Sequence, residues 1–240
     1  MRTLLILLIM VTGVAVIAGC ISVPEPCING SGNISSETRN VSSFQYISLT
    51  MPATLIVRNG ETSSVMIEGD DNILPLITSD VRSGILTISY SRLCVRPSGT
   101  IRITAISPVL REVAMTGTGT VTSDGVLRSE SLAARITGAG DMDLAVETTT
   151  LATTITGTGN VRLRGTARDH TISLPGAGSV DASGLMTERT MVEIFGSGDA
   201  KVNASQTLTV KITGTGTVLY YGNPRIDQTI TGTGSVRPLS

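Results

Sequence analysis

Ile155-Thr156-Gly157-Thr158-Gly159-Asn160-Val161 is one copy of a phrase that occurs seven times along the chain. An apolar residue and a spacer precede Gly-x-Gly, and a spacer and an apolar residue follow it. The glycine pairs are Gly117/Gly119, Gly138/Gly140, Gly157/Gly159, Gly176/Gly178, Gly196/Gly198, Gly214/Gly216 and Gly232/Gly234, at steps of 21, 19, 19, 20, 18 and 18 residues. A period near 20 in a strand-forming sequence predicts a solenoid in which each repeat is one coil. A β-propeller would need roughly 40 residues per blade, and hence two copies in each. Along an extended strand the leading apolar residue, both glycines and the closing apolar residue share one face. Glycine on that face has two readings. It leaves room where opposite walls approach, or it adopts positive φ and turns a corner. Parallel stacking at ~4.8 Å per coil makes the six intervals roughly 29 Å long. The expected fold is therefore all-β, a single-stranded parallel β-helix of 18–21 residues per coil.

Upstream of the repeat, residues 33–115 read as irregular N-terminal coils and 116–240 as the Gly-x-Gly coils. Alternating patterns predict short strands at Phe44–Leu49, Thr54–Val57, Val65–Glu68, Leu86–Tyr90 and Ile101–Ile106. Turn signals at Asn59-Gly60, Gly69-Asp70-Asp71-Asn72, Ser83-Gly84 and Pro97-Ser98-Gly99 separate them. Asp71 is placed to cap one helical turn over Asn72–Leu76.

Residues 1–19 have the layout of a signal peptide, with Arg2 followed by an apolar run from Leu4 to Ala18. Ile17-Ala18-Gly19-Cys20 resembles a bacterial-type lipobox, which makes Cys20 the lipidation site and residues 20–32 a lipid-anchored tether. An uncleaved membrane helix and an ordinary cleaved signal are the competing readings. All three place the remaining chain outside the cytoplasmic membrane. Two cysteines remain, Cys27 and Cys94, and export allows a disulfide between them or two free thiols. Asn29, Asn33, Asn40 and Asn203 lie in Asn-x-Ser sequons, which are glycosylation acceptors in a host with that machinery.

Aromatic residues are 2 % of the 240, with no Trp, so apolar burial must come from aliphatic side chains. The net charge of −1, with no charged block, removes the electrostatic basis for nucleic-acid binding. No catalytic, cofactor or metal residues are assigned. The lone His170 reads as a surface histidine between two repeats. Asp141, Asp143 and Asp199 are the acids that stacking brings nearest, with Asn160 and Ser179 on the coils between. Asp follows the glycines in two of seven copies, too few for a calcium-binding roll. The strands after each Gly-x-Gly exclude a phosphate loop, which needs a helix N-terminus. The Thr-x-Thr array flanking the glycines is interrupted at Ala139, Pro175, Ala177, Phe195 and Ser197, which excludes an ice-matching lattice.

The ordered set Gly32-Asn33, Glu37 to Phe44, Ile47, Asp70 to Pro75, Gly84 to Ile88 and the Gly-x-Gly ladder resembles the putative auto-transporter adhesin, head GIN domain family, over about residues 30–240. The resemblance implies a right-handed parallel β-helix, exported or lipid-anchored, with an adhesive role and no catalytic residues. The chain departs from the family phrase at Leu174-Pro175 and Ile194-Phe195, so these two rungs are expected to differ locally. The function expected is non-enzymatic: a cell-envelope protein, membrane-attached through its lipid, whose long face binds or scaffolds envelope glycan or protein. The alternative is a polysaccharide-processing enzyme with an acidic site on that face.

Overall fold

The computed structural model describes residues 26–239. Eighteen strands and one 3-10 turn make up the described chain. The N-terminal part holds β1 (Ile28–Asn29), β2 (Ile34–Asn40), β3 (Tyr46–Leu49), β4 (Thr54–Asn59), β5 (Ser64–Asp70), the 3-10 turn Leu74–Leu76, β6 (Ile77–Arg82), β7 (Ile85–Tyr90), β8 (Val95–Arg96), β9 (Arg102–Ser107) and β10 (Glu112–Gly117). The repeat region holds β11 (Thr120–Gly138), β12 (Asp141–Gly157), β13 (Asn160–Leu174), β14 (Ser179–Ile194), β15 (Asp199–Gly214), β16 (Thr217–Tyr221), β17 (Arg225–Gly232) and β18 (Ser235–Pro238). Together they form a parallel β-solenoid of about 7 turns with roughly 19 residues per turn.

Each of β11 to β15 is a bent strand that begins just after one Gly-x-Gly and runs round the coil to the next. Successive coils pair in parallel with equivalent residues in register: Ile136 lies opposite Ile155, Thr137 opposite Thr156, and Gly138 opposite Gly157. Side chains therefore stack in columns. One inner column runs Val121, Met142, Val161, Val180, Ala200, Val218, and every member is buried. Met115, Ile136, Ile155, Leu174, Ile194 and Ile212 fill the facing strand and are also buried. At roughly 1.5–3 kcal/mol per fully buried aliphatic side chain, these columns supply the burial that aromatics provide in a globule.

The two glycines of a phrase do different work, and the expectation that both share the inner face is corrected. The first glycine sits half-exposed or exposed at the corner. It turns that corner with positive φ in five phrases, at Gly117, Gly138, Gly157, Gly214 and Gly232. At Gly157 φ is +134°, and a Cβ there would collide with the carbonyl of Gly138 one coil below. The exceptions are Gly176 and Gly196. These follow Pro175 and Phe195, where the strand ends at Leu174 and Ile194 instead of continuing through Thr-Gly. Proline has no N–H to give the neighbouring coil, so pairing stops at Pro175, whereas Phe195 still donates its N–H to the Leu174 carbonyl at 2.9 Å.

The second glycine is the inward one: Gly140, Gly159, Gly178, Gly198 and Gly216 are buried. What crowds it is the coil below, not the opposite wall. A Cβ on Gly159 would meet the Gly140 carbonyl and come within 2.9 Å of Ile136 Cγ2. On Gly178 it would lie 2.5 Å from Ile155 Cγ2 and 2.7 Å from the Gly159 carbonyl oxygen. On Gly198 it would lie 2.7 Å from the Gly178 oxygen, and on Gly216 it would meet the Gly198 oxygen and Ile194. The terminal members differ in burial but not in crowding. Gly119 and Gly234 are half-exposed, yet Gly119 faces the Ala53 carbonyl and Gly234 faces Ile212 and the Gly216 carbonyl. Gly119 alone among the second glycines also has positive φ, at +141°. Close backbone approach between stacked coils is thus the common reason for glycine here.

Near the N-terminus the coils do not stack in chain order. The first coil built, from β3 and β4, lies between the β10–β11 coil and a coil made later in sequence from β7 and β9. The chain steps back one coil before the repeat begins. The detour covers the end of the solenoid, because β6 lies antiparallel on β7, β5 antiparallel on β9, and β2 on β5. The outermost strand, β2, reads Ile-Ser-Ser-Glu-Thr-Arg-Asn and is mostly exposed. A polar, charged edge of this kind discourages further strand addition. Arg39 on β2 fastens it by donating to the carbonyls of Leu74 (2.8 Å) and Ile77 (2.5 Å).

Residues 27–32, read from sequence as tether, are bound to the domain. Cys27 and Cys94 form a disulfide with Cα atoms 4.7 Å apart. Ile28 and Asn29 pair with Val95 and Arg96. Asp70, fully buried, accepts from the N–H of Gly32 (2.8 Å), the N–H of Ser98 (2.9 Å) and the hydroxyl of Ser98 (2.6 Å). Asp71 does not cap the helical turn. That turn spans Leu74–Leu76 with Ile73 at its start, and Asp71 instead accepts from the Ser31 hydroxyl at 2.5 Å.

Candidate functional site

The strand that follows each Gly-x-Gly points its first and third residues outward. Stacking turns these positions into two polar columns. The first runs Thr120, Asp141, Asn160, Ser179, Asp199, Thr217. Its middle members are linked: Asn160 Nδ2 donates to Asp141 Oδ1 at 2.8 Å, and Ser179 Oγ donates to Asn160 Oδ1 at 2.7 Å. Asp199 accepts the N–H of Thr217 at 2.9 Å. The second column runs Asp143, Arg162, Asp181, Lys201, alternating in sign from coil to coil. Arg162 Nε lies 4.0 Å from Asp181 Oδ2, and Arg164 Nη2 lies 2.8 Å from Asp143 Oδ1. The Ser183 hydroxyl, 2.6 Å from Asp181 Oδ1, holds that carboxyl below the usual range, and Lys201 and Arg162 add to the effect.

Between and beside the columns lies an open groove of about 410 Å³, floored by the strand backbone at Met142, Val161 and Val180, whose side chains point inward, and walled by the charged residues. Such a face can offer a ligand alternating donors and acceptors at the coil repeat of ~4.8 Å. Its closest acid pair, Asp141 and Asp143, sits ~6.6 Å apart along one strand, and both are engaged, Asp141 by Asn160 and Asp143 by Arg164. Asp141 and Asp199 are three coil steps apart, ~14 Å at that repeat, with Asn160 and Ser179 between them. Asp143 and Asp181 are separated by Arg162. Among the described residues no cluster of three or more His, Cys, Asp or Glu could hold a metal ion.

His170 is not a surface residue. It is 2 % exposed and belongs to an inner column, Leu132, Leu151, His170, Thr190, Leu208. Burial lowers its pKa to about 3, so the ring is neutral at physiological pH. Its Nε2 lies 3.0 Å from Thr153 Oγ1, and Nδ1 has no hydrogen-bond partner. Alternation could have revealed this placement. Counting by two from Ile172 and Leu174 puts residue 170 on the inward face.

Asn29, Asn33 and Asn40 are exposed near the capped end, and Asn203 is half-buried on β15. Cys20 and the signal peptide lie outside the described residues. Sequence reasoning missed Asp70, because nothing in the run Gly69-Asp70-Asp71-Asn72 distinguishes the buried acid from its exposed neighbour.

The fold and this face define a class: a parallel β-solenoid with a capped end and a long, charge-alternating side. Residues 43–224 match the family described as "Putative auto-transporter adhesin, head GIN domain", and the chain belongs to that family. A crystal structure of a "putative adhesin" from Bacteroides fragilis superposes with TM-score 0.81 at 25% identity, covering 88% of this chain and 100% of that one. A "putative lipid binding protein" from Parabacteroides distasonis and a "putative adhesin" from Parabacteroides merdae share the fold. Both have TM-score 0.71 and 20% identity; they cover 90% and 89% of this chain, and 100% and 99% of their own. No curated protein matches the chain. A disulfide in a member of an adhesin family indicates an extracytoplasmic location.

Proposed function

We propose that this protein is a non-enzymatic binding protein of the cell envelope, held at the membrane by lipid on Cys20, which engages glycan or protein partners through the groove face of its solenoid. The observation that carries this reading is the alternation Asp143, Arg162, Asp181, Lys201 along one column. Each carboxylate has a cation in the next coil, which leaves none poised as a proton donor opposite a second acid, as glycoside hydrolysis requires. The same alternation gives a rigid, extended pattern of complementary charge, which confers specificity without a deep pocket. Family membership supports adhesion as the general role.

The test is binding of the fragment that begins at Pro26, which retains Cys27, to a glycan array and to solubilised envelope. Arg162→Glu and Lys201→Glu reverse the column's cations and should abolish whatever binding the parent shows, with an unchanged melting temperature. Retention of full binding by both variants would remove the groove face from the proposal.

A further inference from the structure

Leu93 is the most exposed large apolar residue described, at 109 % of its reference surface. It sits in the loop between β7 and β8 at the capped end of the solenoid. Pro52, Tyr90, Val95, Pro97 and Ile101 line a depression of about 600 Å³ beside it. Arg96, exposed on β8, places a positive charge three residues from it. Its neighbour Cys94 is bonded to Cys27.

That bond sets a hard limit on where the loop can go. Seven peptide units separate Cys20 from Cys27, and a fully extended chain spans at most ~3.6 Å per residue. Cys27 cannot move more than about 25 Å from Cys20, and Leu93, one residue from a disulfide partner whose Cα is 4.7 Å from that of Cys27, no more than about 34 Å. If Cys20 carries lipid, the loop is confined to a layer next to the bilayer. An apolar tip beside an exposed cation is a composition that settles at a headgroup–acyl boundary.

We infer that the Leu93 loop is a membrane-docking tip, whose partner is the phospholipid surface that holds the Cys20 anchor. The inference rests on the lipid-anchor part of the proposed function. It adds an orientation: the solenoid stands on its capped end and carries the groove face away from the membrane. A protein partner is disfavoured by size. Leu93 and its five apolar neighbours present far less than the ~800 Å² per side of a stable protein interface.

The chain contains no tryptophan, so one introduced residue is an unambiguous reporter. Full-length protein carrying Leu93→Trp is placed in vesicles of phosphatidylethanolamine and phosphatidylglycerol with brominated acyl chains. Tyr221→Trp, five coil steps beyond Thr120 and about 24 Å up the solenoid, serves as the comparison. Mass measurement of the N-terminal peptide reports acylation of Cys20 independently. The expected result is quenching of the Leu93→Trp variant by about twofold or more, because an interfacial side chain sits roughly 5–10 Å into the boundary, with the Tyr221→Trp variant unquenched. Acylated protein whose Leu93→Trp indole is unquenched overturns the docking tip and leaves the anchor standing. Equal quenching in both variants overturns the upright orientation. A blue shift of the Leu93→Trp emission that depends on protein concentration and not on bromolipid assigns the tip to a second copy and overturns the inference. Absence of acylation removes both the anchor and the tip.

Discussion

His170 Nε2 and Thr153 Oγ1 lie 3.0 Å apart inside the core, joining two adjacent coils through a polar contact surrounded by aliphatic columns. The other ring nitrogen has no partner. A buried polar atom left unpaired costs about 1–3 kcal/mol, so this histidine opposes the stability of the solenoid it occupies.

Its titration also sets part of the acid limit. The folded pKa, about 3, lies below the ordinary value of 6.5, so the unfolded chain binds more protons between those values. Stability is then complete above about pH 6.5 and declines as pH falls toward 3, by up to ~1.4 kcal/mol per unit. Asp70, Asp169 and Asp181, each held below the usual carboxylate range, lose their contribution in the same direction at lower pH. His170→Leu extends the column already formed by Leu132, Leu151 and Leu208. Combined with Thr153→Val, which removes the buried hydroxyl that would otherwise lose its partner, it should raise the melting temperature at pH 7 and flatten its fall between pH 6.5 and 4, measured by thermal denaturation across that range. An acid limb identical to the parent's would mean that His170 titrates normally.

Gly157→Ala should destabilise the fold by about 2–5 kcal/mol. Roughly 1–2 come from a Cβ at positive φ and about 1–3 from forcing two coils apart. Gly159→Val should be at least as damaging, since Gly140 and Ile136 block its side chain. Gly99→Ala meets no atom within 4 Å and should melt with the parent. Urea unfolding of the three variants makes the comparison. Similar midpoints for Gly157→Ala and Gly99→Ala would mean that the coils do not touch there.

The Cys27–Cys94 bond closes a loop of 67 residues. Cys94→Ser should cost about 4 kcal/mol on loop entropy and should expose the backbone of residues 27–32 to proteolysis before the repeat region is cut. The Gly32 and Ser98 donors to Asp70 lie beside the same junction, so partial protection would persist. Limited proteolysis with and without reductant reads this out. Equal cleavage rates would show that the Asp70 hydrogen bonds hold the segment alone.

The strands predicted at 44–49, 54–57, 65–68, 86–90 and 101–106 coincide closely with β3, β4, β5, β7 and β9, because alternation marks a half-buried strand wherever it pairs. What alternation lacks is a partner. The pattern in Val65–Glu68 is the same whether β5 lies parallel or antiparallel to β9, so the reversed cap and the swapped coil order could not be read from it. The glycine pairs show a second limit. Strict alternation put Gly157 and Gly159 on one face, but the corner at Gly157 breaks the two-residue period and leaves only Gly159 inside. His170 shows a third. Its polarity suggested the surface, while its position in the two-residue period placed it inside.

The spacing of the glycine pairs alone determined the solenoid, its coil length and its aliphatic interior, since a repeat that cannot bury its own face must stack on its copies. Tertiary structure decided which acids meet which cations, which aspartate is buried, and how the open end is covered. Those outcomes depend on register between segments far apart in the chain, and a local pattern carries no information about register with a distant partner.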